Sequence, residues 1–265
     1  MRNFEERVKE HFIEAQKYFD NDHIVGLFLQ GSQNYGLATD KSDVDTKLLV
    51  TPKVEEIAYN KAPVSTTHVM ENKEHIDFKD IRLYFDTFRQ QNMNFLEIMF
   101  TDYFVINPMY AEAWGRLLDI REQVVRYNPY RAVQAMMGIG TRQFNRVTHM
   151  ADSNVEAFNQ FGYDPKALCN LLRICEFLQK YTMEILTYKE CMTPANPDYL
   201  LDIKSGYCYP QEAKILANDV YAKMQEIEGI AKSKFPNIPD PEVGKKLKAI
   251  QYDIITISMR KDLKV

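Results

Sequence analysis

No stretch of about eighteen consecutive apolar residues occurs in the 265-residue chain, so no membrane-spanning helix is expected. Nor does an apolar segment follow the charged start Met1-Arg2-Asn3-Phe4-Glu5-Glu6, so no secretory leader is expected. Cysteine is scarce. Cys169, Cys175, Cys191 and Cys208 show no C-x-x-C spacing, which excludes a disulfide scaffold and fits thiols of a reducing, cytoplasmic compartment. His11, His23, His68 and His75 form no ligand set, so zinc is not predicted. There is no internal repeat and no low-complexity segment. An excess of basic charge is also missing: 33 Lys and Arg stand against 37 Asp and Glu, for a net charge of −4. That balance argues against a large non-specific grip on nucleic acid and leaves room for a local basic groove.

What is present is an ordinary globular mix, with 45% apolar and 26% charged residues, long enough to bury a sizeable core. Apolar residues at three- and four-residue steps (Phe4, Val8, Phe12, Ala15, Phe19) predict a first helix ending at Asn21-Asp22. Strand patterns follow over residues 23–29 and 44–50, and 64–70 with 75–78 reads as a hairpin around Glu71-Asn72-Lys73-Glu74. From Asp80 the period turns helical, with Ile81, Tyr84, Phe85 and Phe88 on one face, and a further helical stretch covers 95–100. After Asn107-Pro108 the pattern is helix after helix, over 109–122, 129–151, 165–188, 210–234 and 241–259, several with proline near the start. Residues 194–210 read as a loop. The expected architecture is α+β: a mixed sheet with flanking helices over 1–107, then an all-helical region over 108–265.

The chemistry concentrates between Gly31 and Asp45. Asp43 and Asp45 stand two apart at a strand start, so both project from one face while Val44 faces the other way. Paired carboxylates repel unless a cation neutralises them, and an all-oxygen set on a rigid strand suits Mg²⁺ or Mn²⁺. Gly31-Ser32 after a buried strand offers a close backbone approach, a hydroxyl and an N–H, a seat for phosphate oxygens. Phosphate seat plus metal-binding acids points to phosphoryl or nucleotidyl transfer. Asp77, alternating with Ile76 and Phe78, is the favoured third acid. Asp80 competes for that place but is better suited to cap the following helix.

The spacing G-S, ten residues, D-x-D between two strands resembles the nucleotidyltransferase superfamily of DNA polymerase beta. The wording Gly31-Ser32…Tyr35-Gly36-Leu37-Ala38-Thr39…Ser42-Asp43-Val44-Asp45 is similar to the predicted nucleotidyltransferases of the RNA-repair-pathway DNA-polymerase-beta family. Gln91-Asn92-Met93-Asn94-Phe95-Leu96-Glu97-Ile98 resembles that family's N-P-N-x-x-E helix, with Met93 in place of the usual proline. Gly162-Tyr163-Asp164-Pro165-Lys166-Ala167 through Leu171-Leu172-Arg173 resembles its G-Y-D-P-K helix. The likeness runs from about residue 23 to 190. It implies a nucleotidyltransferase-fold mixed sheet, two divalent metal ions and a nucleoside triphosphate substrate. Carried over, Ser32 touches the triphosphate, Asp43 and Asp45 hold both metals, and Asp77 holds the catalytic metal and orients the acceptor hydroxyl. An RNA end, that of a tRNA included, is the expected acceptor. A protein hydroxyl, modified as by small antitoxin-type relatives, is the alternative, and a relic nucleotide- or RNA-binding module is a third reading.

Supporting residues carry plainer alternatives. Lys166 and Arg173, seven apart on one helix, could bind phosphate oxygens or serve as surface charge or an internal ion pair. Tyr35 and Gly36 are expected to shape the loop over the nucleotide. Glu97, in an otherwise apolar helix, is read as a partnered structural carboxylate. Lys47, on the D-x-D face, is read as balancing the acids, as approaching a phosphate, or as a strand-end lysine in solvent. Arg142 and His149 show an R-x6-H spacing that also occurs in RNA-cutting helical domains, a weak signal for a nuclease.

Overall fold

Alternation of apolar and polar residues builds a five-stranded sheet, and the helical periods cover it. The computed structural model describes residues 4–39 and 42–264; Asp40 and Lys41 of the motif, with the first three residues, lie outside them. The strands are β1 (Ile24–Gln30), β2 (Asp45–Val50), β3 (Ser65–Val69), β4 (His75–Asp80) and β5 (Phe104–Ile106). The helices are α1 (Phe4–Ala15), α2 (Val54–Ala58), α3 (Ile81–Arg89), α4 (Met93–Leu96), α5 (Ala111–Asp119), α6 (Arg121–Val124) and α7 (Pro129–Thr148). They continue with α8 (Val155–Phe161), α9 (Pro165–Met183), α10 (Tyr188–Met192), α11 (Pro197–Lys204), α12 (Pro210–Lys234) and α13 (Pro241–Leu263). The fold is α+β, with a mixed sheet, flanking helices and a helical C-terminal region, as the patterning predicts.

Strand order is β3-β4-β2-β1-β5, all neighbours antiparallel except the parallel pair β2 and β4. Period two sorts the side chains. Leu27, Leu29, Leu48, Val50, Ile76 and Phe78 share one face and bury against Val8 and Ala15 of α1. Gln30, Asp45, Lys47, His75 and Asp77 occupy the other face by register: Gln30 pairs with Asp45, Asp45 with His75, and Lys47 with Asp77. The sheet thus presents an apolar underside and a charged end on its upper face.

By contacts the chain forms two units. One comprises Met1–Asn34, Ala38–Asn128 and Ile238–Val265; the other comprises Tyr35–Leu37 and Pro129–Asn237. The sequence reading sets its boundary at residue 107, whereas this division falls after Asn128 and assigns α13 to the sheet unit. A buried polar node explains that assignment. Ser258 of α13 accepts a hydrogen bond from Thr51 Oγ1 at 2.8 Å, and Asp262 Oδ1 lies 3.0 Å from His23 Nε2. Asp262 Oδ2 also accepts from the Val54 N–H at 2.9 Å, at the start of α2.

In the second unit, α7, α9 and α12 pack together. Gly140 of α7 lets Met224 of α12 approach to where a Cβ would stand 2.3 Å from its terminal methyl. Proline opens α9, α11, α12 and α13, each after a capping position. The stretch 194–210, expected as a loop, contains α11. Asn196 accepts from the Tyr199 N–H and Pro197 takes the first turn, so the proline that suggested a loop marks a helix start.

Candidate active site

The sheet unit holds Gly31, Ser32, Asp43, Asp45 and Asp77. The antiparallel register that pairs Gln30 with Asp45 sets the Gly31-Ser32 turn, leaving β1, at the same sheet end as the D-x-D entering β2. Gln33 ties the two, donating from Nε2 to the Asp43 carbonyl at 2.6 Å. Burial alternates from exposed Asp43 through buried Val44 to half-exposed Asp45 and buried Thr46, the expected pattern. Asp45 Oδ1 lies 3.1 Å from His75 Nδ1.

The turn is braced from below. Gly31 has φ +93°, and its N–H donates to Glu97 Oε1 at 3.2 Å. The Gly31 N–H therefore serves to fix the turn, and Glu97 has the structural role its apolar surroundings suggested. Asn34 donates to the Leu29 carbonyl at 3.2 Å and accepts from Thr101 Oγ1 at 2.8 Å. A Cβ at residue 31 would meet only Gln33 Oε1, at 3.7 Å, so the cost of a side chain there is conformational rather than steric. Gly31→Ala is expected to lower stability by about 1–3 kcal/mol. Urea unfolding checks this, and an unchanged urea midpoint would refute the strain.

Asp77 has a different environment from Asp43. Its Oδ1 accepts from Thr67 Oγ1 at 2.7 Å; its Oδ2 accepts from Lys47 Nζ at 3.1 Å and Gln30 Nε2 at 3.4 Å. Burial pushes the Asp77 carboxyl up, but Lys47, Thr67 and Gln30 outweigh it and hold the group below the usual carboxylate range. Lys47 is 4% exposed, and its ammonium lies 4.5 Å from the centre of the Phe95 ring. Burial lowers it from the ordinary lysine range, and Asp77 opposes that pull. Lys47 is therefore not a solvent-exposed strand-end lysine; its ion pair is with Asp77. Asp80 caps α3, accepting from the Arg82 N–H at 2.8 Å.

The three carboxylates do not fit the expected two-metal set. Both Asp77 oxygens are engaged by side-chain donors, one of them a buried ammonium. Among the described residues no three His, Cys, Asp or Glu side chains come together as a metal-holding group. Asp43 and Asp45 remain as a pair of oxygen donors that could hold one divalent ion, with its other positions left to further oxygen ligands, the usual manner for Mg²⁺.

One anchor escaped the sequence reading. Glu74, in the expected hairpin turn, is 2% exposed and accepts from the Val44 N–H at 3.1 Å, between the two aspartates. Arg7, His11 and Asn72 all reach its other oxygen; Asn72 Nδ2 lies at 3.2 Å and His11 Nε2 at 3.0 Å. His11 Nδ1 is 2.9 Å from Thr46 Oγ1. Helix α1 thereby fixes the strand entrance from the apolar side. Only the E-N-K-E wording signalled Glu74, and that wording reads equally as an exposed turn.

Burial holds the His11 imidazole below its ordinary 6.5, against the opposing pull of Glu74. The unfolded chain therefore binds the proton more readily than the folded one, and stability falls as pH drops below 6.5. The slope from this group is at most about 1.4 kcal/mol per pH unit. His11→Asn is expected to flatten the decline in urea midpoint between about pH 7 and 5. A wild-type decline no steeper than the variant's would refute the assignment.

The second unit holds Tyr35, Lys166 and Arg173. Arg173 is buried with its guanidinium 4.1 Å from the centre of the Tyr35 ring. Lys204 Nζ donates to the Leu37 carbonyl at 2.7 Å, so α9 and α11 grip the 35–37 segment, where Gly36 has φ +71°. Lys166, on the first turn of α9, is exposed. Arg142 and His149 are both exposed, and His149 Nδ1 lies 2.8 Å from its neighbour Thr148 Oγ1.

Comparison with known proteins yields little. No family model and no curated protein sequence matches the chain. Among solved structures, a nucleotidyltransferase-like protein from Exiguobacterium sibiricum 255-15 overlaps 86% of this chain and 76% of its own. Its identity is 10% and the TM-score 0.29.

Proposed function

We propose that the chain is a nucleotidyltransferase, moving a nucleoside monophosphate from a nucleoside triphosphate to an acceptor hydroxyl and releasing pyrophosphate. The observation that carries this reading is the register of β1 and β2, which sets the Gly31-Ser32 turn beside the Asp43 and Asp45 pair. In the reaction the acceptor oxygen bonds to the α-phosphorus as the bond to the β-phosphate breaks, and the acceptor's proton leaves to solvent. Ser32 would meet the triphosphate. Asp43 and Asp45 would hold one Mg²⁺ or Mn²⁺ ion, which draws charge from the leaving phosphates when bound. Glu97 and Asn34 keep the turn in place, and Glu74 keeps the strand entrance in place, so both halves are preorganised.

RNA is the proposed acceptor, on the resemblance of the motifs alone. Each of the four nucleoside triphosphates, labelled at the α-phosphate, would be incubated with the protein and total RNA or total protein. Labelled RNA, lost in Asp43→Ala and Asp45→Ala, supports the reading. Labelled protein lost in the same variants makes the acceptor a protein side chain. Transfer unchanged in both variants would sink the site. Metal-dependent binding of a triphosphate with no polymer labelled would make the chain a binding module.

A further inference from the structure

We propose that Lys47 supplies the fixed positive charge beside Asp77 that a second metal ion would otherwise supply, so the site takes a single divalent cation, on Asp43 and Asp45. This rests on the nucleotidyltransferase reading above and narrows it.

Three observations lead there. First, the parallel register of β2 and β4 pairs Lys47 directly with Asp77, two residues along the strands from the Asp45 and His75 pair. The ammonium is thus built into the sheet and does not reach in from a mobile loop. Second, Lys47 is buried, seated over the Phe95 ring, and among the described residues its ion pair is with Asp77. If Asp77 turned to ligate a metal, a buried ammonium would lose that partner and face a divalent cation of its own sign. Third, Asp77 is not a loosely held acid awaiting an ion. Thr67, Gln30 and Lys47 together occupy both oxygens, at 2.7, 3.4 and 3.1 Å. Asp45 differs: its side chain is 42% exposed, and its contact is to one half-exposed histidine. The charge pattern along this face is one pair of acids open to a cation, followed by one acid already neutralised. Asp77 is then a positioning residue, which holds Lys47 over Phe95 and keeps its charge next to the D-x-D.

Manganese electron paramagnetic resonance tests the proposal, with Mn²⁺ and inorganic triphosphate as the probe so that base preference plays no part. One Mn²⁺ per chain, with the spectrum of an isolated ion, is expected. Asp45→Asn should release it, with at least tenfold weaker binding. The double variant Lys47→Met/Asp77→Asn removes the ion pair as a unit and guards against misfolding of a chain with one unpaired buried charge. It should still bind one Mn²⁺, with affinity within about threefold of the wild type. Two metal ions sharing a site sit roughly 3.5–4 Å apart, close enough for their spins to couple. A spin-coupled pair in the wild type, reduced to a single ion by Asp77→Asn, would overturn the proposal and leave the nucleotidyltransferase reading intact. No Mn²⁺ bound beyond that on free triphosphate would overturn both.

Discussion

Asp45→Ala is expected to cut kcat/KM for nucleotide transfer by at least about 10²- to 10³-fold, the scale for losing one preorganised stabiliser of reaction charge. The fold should not suffer. The Asp45 side chain is 42% exposed, and its contact is with His75, itself 43% exposed, a type of pair worth little in water. Removing one of two neighbouring carboxylates also relieves repulsion between them. The urea midpoint should therefore move by no more than about 0.5 kcal/mol equivalent, the usual range for a surface change. Asp45→Asn keeps the shape and loses the charge, so it should fail as badly as alanine. Asp45→Glu keeps the charge but displaces it by a methylene, and a misplacement of about 1 Å can cost about 10²-fold. Activity within a few-fold of wild type in Asp45→Asn would show that the carboxylate charge does no chemistry.

Much of this site could be read from short-range patterns. Alternation located β1 and β2, the G-S and D-x-D spacing located their charged end, and the step from Asp80 into a helical period correctly made Asp80 a cap. The limits came where a residue's partner is distant in sequence. Glu74 looked like a turn acid because its wording is E-N-K-E. It is buried because Arg7 and His11, 67 and 63 residues earlier, arrive on α1 to neutralise it. Lys47 and Asp77 were both recognised, but their pairing depends on a parallel register between β2 and β4 that no local pattern states. Gly31 was read for close backbone approach, and nothing local shows that its N–H goes to Glu97, 66 residues on. Short elements were lost for local reasons, among them β5, which spans three residues, and α11, which hid behind a proline read as a breaker. The C-terminal helix α13 offered no motif, yet Ser258 and Asp262 bind it to the sheet unit through His23, Thr51 and Val54.

The Lys47 and Asp77 pair should show an asymmetric response to cutting. Asp77→Leu leaves an ammonium that is 4% exposed without its carboxylate, and losing one partner of a buried pair costs about 3–5 kcal/mol. Lys47→Met leaves a carboxylate whose side chain is 34% exposed and still hydrogen-bonded by Thr67 and Gln30, so its cost should be only about 1–2 kcal/mol. The double variant Lys47→Met/Asp77→Leu should recover most of the loss, because a well-packed apolar pair is often as stable as the ion pair it replaces. A ceiling applies to the first figure. An unpaired lysine can shed its proton, and doing so at pH 7 from the ordinary 10.5 costs about 5 kcal/mol at about 1.4 kcal/mol per unit. That ceiling gives the experiment its sign. Where Lys47 in Asp77→Leu is neutral when folded and charged when unfolded, the unfolded chain binds one more proton, so stability rises with pH. The deficit of Asp77→Leu against the wild type should therefore shrink between about pH 7 and 9, while that of Lys47→Met should not. Urea unfolding of the three variants at both pH values decides it. Equal, pH-independent losses in the two single variants would mean that Lys47 is not held as a buried charge.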